Sequence, residues 1–284
     1  MKLAENLSSG SIRQFRLVAL PLLLSTLAFP ALAAPASLSN GNSSISVDPS
    51  TDHILTGWLV DGKNQLSMQS FWYRVGAVGG ESALGTLALV DQVQASSGSL
   101  YVKYANGQFS VETTYSLVGG TSGSGTANLS QQVKITNLSG NSLDFHFFQY
   151  SDFDLTGTSA GDTVQLGQNL QGNFNEALQT KAGGSLVDTV FTRGGTHGQV
   201  ALFPTLLNSL NDGAATVLNG NAGPVTGDAT WAIQWDQVIA SGGSLLIGID
   251  NNIQLIPVPE PSTLALIPFG FAGFFMLKRF RARS

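Results

Sequence analysis

The chain has 284 residues, of which 43% are hydrophobic and 33 are Gly, with no Cys and a formal net charge of −5. Lack of cysteine excludes disulfide stabilisation, thiolate catalysis and Cys-ligated zinc. Seven of the 13 basic residues lie before Ala34 or after Glu260, leaving six Lys and Arg against 17 Asp and Glu between them. So acidic a body repels phosphate backbones, which excludes nucleic acid as a partner.

At the start of the chain, Lys2, Arg13 and Arg16 precede the apolar run Leu17–Leu24, and Ala31-Leu32-Ala33 supplies small residues. That order is a secretory signal peptide, residues 1–33, with signal peptidase cutting after Ala33. Residues 34–256 then read as one all-β body, since no Pro- or Ser-rich stretch is long enough to separate two cores.

The body alternates in short segments. Phe109, Val111, Tyr115 and Leu117 share one face of a strand, and Ser110, Glu112, Thr114 and Ser116 share the other. Asp61-Gly62 and Asn106-Gly107 predict type I′ hairpin turns, because both residue pairs tolerate positive φ. The stretch Gly119–Gly125 reads as a loop between strands. Further strands are predicted at 132–136, 143–151, 163–166, 186–192, 229–238 and 245–255. At Phe147-Phe148 the alternation breaks, which predicts either a bulge or a strand covered on both faces. Two short helical patterns, 169–180 and 203–210, lack a convincing N-cap and read as excursions from a sheet scaffold. Strands at this spacing with Gly-rich turns predict an antiparallel β-sandwich, jelly-roll or supersandwich-like.

Candidate chemistry is sparse. Asp152, Asp154 and Asp162 are the candidate calcium ligands, since converging carboxylates supply the hard oxygens that calcium takes in numbers of 6–8. Their spacing is not that of an EF-hand, and the plainer reading is that they solvate a strand end and a turn. No other cofactor is expected. His53, His146 and His197 have no metal-ligand spacing, and His146 reads as a hydrogen-bonded sheet residue. Trp58, Trp72, Trp231 and Trp235 suit either a sugar-stacking platform or the core; Trp231, Ile233 and Trp235 on one strand face favour the core. Glu81, Glu112 and Glu176 show no catalytic pairing, so no catalytic residue is nominated.

The last 28 residues, 257–284, have three parts: Pro259-Glu260-Pro261, an uncharged stretch from Thr263 to Leu277, and a basic cluster of Lys278, Arg279, Arg281 and Arg283. Fifteen residues at 1.5 Å each reach about 22 Å, short of a bilayer core of about 30 Å, so this is a marginal membrane-spanning helix. The cations would hold its far end in the cytoplasm. This tail resembles the sorting signal of PEP-CTERM proteins, exported by Gram-negative bacteria and processed by exosortase enzymes. The resemblance implies export, retention in the inner membrane by the tail, recognition around Pro259, Glu260 and Pro261, and delivery to the cell surface or extracellular matrix. The role expected there is structural, adhesive or glycan-binding, with extracellular polysaccharide as partner and no enzymatic activity. The alternative is a secreted carbohydrate-active enzyme acting on surface polysaccharide.

Overall fold

The computed structural model describes residues 34–256; the expected signal peptide, sorting motif, membrane-spanning helix and basic cluster lie outside them. Among the described residues no helix is long and apolar enough to cross a membrane. The strands in the first half are β1 (Ala36–Asn40), β2 (Ser43–Val47), β3 (Leu55–Val60), β4 (Lys63–Asn64), β5 (Leu66–Val75), β6 (Ser82–Ala83), β7 (Ala88–Ser96), β8 (Ser99–Ala105) and β9 (Phe109–Gly119). Those in the second are β10 (Thr126–Asn137), β11 (Leu143–Phe153), β12 (Asp162–Gln168), β13 (Phe174–Lys181), β14 (Leu186–Gly195), β15 (His197–Leu202), β16 (Val225–Gly227), β17 (Ala229–Ile239) and β18 (Ser244–Gln254). One helix, α1 (Thr205–Asn211), lies between β15 and β16.

All these strands pair antiparallel, in two sheets. Sheet A runs β1-β2-β3-β5-β11-β17-β15, with β4 on β3 and β6 on β5; sheet B runs β16-β12-β13-β14-β18-β10-β9-β8-β7. Alternation decides which side of each sheet is apolar. In β9, Phe109, Val111, Tyr115 and Leu117 all point inward and are buried, as the pattern predicts. They meet Trp58, Phe71, Phe145, Phe147, Trp231 and Trp235 of sheet A in one core between the sheets. Aromatic edges lock the two layers together. Phe191 of β14 packs edge-on against Trp231 and Trp235, and Phe109 against Phe145 at 4.9 Å.

β11 sits in the middle of sheet A, and its register with β17 is unbroken from Leu143 to Ser151. The Phe147-Phe148 pair therefore marks a strand covered on both faces, not a bulge. Phe145 and Phe147 enter the inter-sheet core, while Phe148 and Tyr150 face outward into a second cluster with Trp72, Met68 and Ala232. Leu206 and Leu210 of α1 and Leu218 cap that cluster. A helix is thus needed here because the outer face of sheet A carries apolar residues at its centre.

Three local expectations are settled by the backbone. Asp61 and Gly62 both have positive φ, 48° and 76°, as a type I′ turn requires. Asn106-Gly107 does not adopt that turn: neither residue has positive φ, and the Asn106 side chain instead accepts the amide N–H of Gln108 and Phe109, closing a longer loop. The helical pattern at 169–180 is also wrong, since β13 occupies most of it. A register shift between Phe174 and Glu176 moves the buried positions to Phe174 and Ala177, and that three-residue spacing imitates a helix.

Candidate functional site

Outward-facing residues of sheet A divide into a capped apolar centre and two polar ends. At one end, Asp236 of β17 gathers donors from three directions. His146 lies opposite it in the β11–β17 ladder, and its Nδ1–H donates to Asp236 Oδ1 at 2.5 Å. Gln234 Nε2 donates to the same oxygen at 2.8 Å, Thr196 Oγ1 to Oδ2 at 3.1 Å, and His197 Nε2 lies 3.3 Å from Oδ2. Burial pushes the Asp236 carboxyl up, but hydrogen bonds from Gln234, His146 and Thr196 outweigh it and hold the group below the usual carboxylate range. Asp236 is an ionised acceptor with its lone pairs engaged. His146 is a hydrogen-bonded sheet residue, as its aromatic strand suggested.

Beside this network, at the lip between β14 and β17, opens a cleft of about 340 Å3 lined by Asn169, Asn173, Arg193, Thr196, Asp236 and Gln237 among others. Arg193 donates to Gln237 Oε1 at 2.6 Å, fixing two planar polar groups at its wall. The lining holds one carboxylate and a set of amides, a guanidinium and hydroxyls. Groups of this kind bind hydroxyls and ring oxygens by paired hydrogen bonds. Trp235 borders the cleft but is 2% exposed, and Trp58, Trp72 and Trp231 are fully buried, so no tryptophan offers a stacking face and the platform reading is overturned.

At the opposite end of the same face, Asp152 of β11 and Asp154, which directly follows it, converge with Asp228, which directly precedes β17; one oxygen from each lies within 4.8 Å of the others. The expected third member, Asp162, is held instead on β12 by Lys181 at 3.1 Å and by N–H donors from Leu155 and Gln179. Its carboxylate is compensated, which is why it does not join the group. Burial, then the neighbouring Asp154, Asp228 and Asp162 charges, push Asp152 up from 3.8 to about 7. The same causes, burial first, raise Asp154.

Asp228, Asp236, Thr196 and Arg193 were not singled out from sequence. Knowing that 143–151 pairs with 229–238 would have found both aspartates, because the ladder sets His146 against Asp236 and, continued, Asp154 against Asp228. Two of the glutamates considered from sequence are engaged in ion pairs: Glu112 pairs with Lys103 at 3.2 Å, and Glu81 is buried against Arg74.

This architecture defines a class. The GalM/aldose epimerase homologue of C. elegans superposes with a TM-score of 0.50 at 8% identity, over 79% of this chain and 99% of its own. The Slr1438 protein of Synechocystis sp. PCC 6803 gives 0.51 at 11% identity, over 79% and 97%. A bacterial glucoamylase complexed with acarbose gives 0.51 at 8% identity over 76% of this chain, which spans only 33% of the glucoamylase. At these identities the likeness is one of fold: a two-sheet antiparallel sandwich similar to that of aldose epimerases. No curated protein sequence matches the chain. Residues 257–279 match the family described as PEP-CTERM protein-sorting motif. The chain therefore carries a PEP-CTERM protein-sorting motif, which implies export and recognition by exosortase-type processing.

Proposed function

We propose that this is an exported protein of the cell surface or extracellular matrix whose sandwich binds glycan without turning it over. The PEP-CTERM motif carries the proposal, since it supports export, and an exported surface or matrix protein would meet extracellular polysaccharide. The cleft beside Asp236 supports the glycan half. It is polar and concave, and its single carboxylate has its oxygens occupied by His146, Gln234 and Thr196. Hydrolysis with two flanking carboxylates needs a free acid and a partner about 5–9.5 Å away. One engaged aspartate favours binding.

The test is affinity electrophoresis of the exported body, residues 34–256, through gels containing bacterial exopolysaccharides, beside Arg193→Ala and Thr196→Val. Retardation by at least one polysaccharide, reduced in both variants, is the expected result. Equal mobility in every gel would overturn it. The second reading, a secreted carbohydrate-active enzyme, draws on the names of the glucoamylase and aldose epimerase relatives. Release of reducing ends from a retarding polysaccharide would favour that reading over simple binding.

A further inference from the structure

We propose that Asp152, Asp154 and Asp228 bind a calcium ion that fastens the end of sheet A to the excursion carrying α1. The proposal is independent of the glycan reading. It begins with a buried charge that lacks a partner. Asp152 is 6% exposed, and its Oδ1 makes no hydrogen bond. Asp154 Oδ1 is equally enclosed and unbonded. Among the described residues no basic side chain pairs with Asp152, Asp154 or Asp228; the nearby Lys181 is committed to Asp162 and to the carbonyl of Thr158. A carboxylate taken out of water is tolerated when it is paired, protonated or bound to a metal.

Geometry favours the metal. Calcium holds its oxygens at 2.3–2.6 Å, so two ligands on opposite sides of the ion are about 4.8 Å apart. All three carboxylate oxygens lie within that separation. The donor set is entirely hard oxygen, which suits calcium and excludes a thiolate- or imidazole-seeking ion. Asp154 and Asp228 are only partly buried, which leaves a path for the ion and for water to complete the shell. Buried Asp152 thus sits beside the carboxylates of Asp154 and Asp228 with an unbonded oxygen, the condition a bound cation would relieve.

The ligands join separate parts of the fold. Asp152 lies at the end of the central strand of sheet A and Asp154 just beyond it. Asp228 closes the segment that leaves β15, forms α1 and returns through β16, and its carbonyl accepts the N–H of Phe203 at 2.8 Å. β16 in turn pairs with β12 of sheet B, Gly227 opposite Asp162. A cation here would clamp both ends of that excursion to β11.

The experiment uses the full chain in mild detergent, stripped with chelator and titrated with calcium chloride or magnesium chloride by calorimetry, with thermal unfolding in parallel. Asp152→Asn, Asp228→Asn and the control Asp91→Asn are compared with wild type. Calcium at 100 times its Kd should raise Tm by roughly 5–10 °C in wild type and Asp91→Asn. Asp228→Asn should bind at least about tenfold more weakly. Asp152→Asn should lose the calcium shift while its metal-free Tm holds or rises, because a neutral amide of the same size replaces the buried charge. Absence of heat and of any Tm shift at 10 mM calcium would overturn the site, leaving Asp152 as a buried neutral acid. So would an equal shift in Asp228→Asn, and tighter binding of magnesium would overturn the choice of ion.

Discussion

A buried ion pair helps fasten the cap over the outer face of sheet A, and replacing its members singly and together measures how much. Arg74 of β5 is 4% exposed and the Glu81 side chain is fully buried, with Nε 2.9 Å from Oε1. Glu81 Oε1 also accepts the N–H of Thr216 at 2.9 Å, and Arg74 donates to the carbonyls of Gly76 and Thr216. Thr216 lies two residues before Leu218, which covers Trp72 and Phe148. Arg74→Met removes the cation and strands a carboxylate with no solvent. Breaking a buried pair in this way costs about 3–5 kcal/mol. Replacing both, Arg74→Met with Glu81→Leu, removes the stranded charge and leaves chiefly the Thr216 N–H without an acceptor, a penalty of about 1–3 kcal/mol. Urea unfolding of residues 34–256 gives all four stabilities. The double variant should be more stable than Arg74→Met alone. Costs that simply add, or a single-variant cost below about 1 kcal/mol, would refute the reasoning.

Two further predictions concern carboxylates shifted in opposite directions. With chelator present, Asp152 holds its proton more tightly folded than unfolded, so its contribution is fully present below pH 3.8 and is lost as pH rises through about 7. Stability should therefore fall between pH 4 and 7 by up to about 1.4 kcal/mol per pH unit from this group, a slope that Asp152→Asn reduces and saturating calcium suppresses; a flat wild-type profile would contradict this. Asp61 is shifted the other way: burial raises it, but N–H donors from Gly123 and Gly125 and the Asn42 amide bring it below its ordinary value. Its contribution is present above pH 3.8 and lost as pH falls through the folded value. Asp61→Ala, which removes bonds of 2.7, 2.8 and 2.9 Å that pin the 119–125 loop, should cost about 1–3 kcal/mol at pH 7 and progressively less as pH falls through the folded value, read by denaturant midpoint.

Period-two patterning was enough to reveal the sandwich. Phe109 to Leu117 and Trp231 to Trp235 commit their apolar faces so strongly that their inward direction needs no structure. What stayed hidden was pairing. Asp152, Asp154 and Asp162 lie close in sequence, yet only two converge, because β12 belongs to the other sheet and Lys181 on its neighbour β13 claims Asp162. The remaining member, Asp228, is 74 positions from Asp154 and becomes its neighbour only through the β11–β17 ladder. Register also produced the misread segment at 174–177, where a bulge gives a strand the spacing of a helix. Asn106-Gly107 failed for a more local reason: a side chain able to accept two backbone N–H groups outcompeted the turn that its backbone tolerance suggested.

Export and processing through the tail underlie the rest of the account. The direct measurement is intact mass and cell fractionation of the expressed full chain in a bacterium that carries an exosortase, beside the Pro259, Glu260 and Pro261 to Ala variant. Wild type should appear outside the inner membrane with its mass reduced by roughly the 257–284 segment, while the variant stays full length at that end and membrane-held. Identical, uncleaved and membrane-held products from both chains would contradict the account.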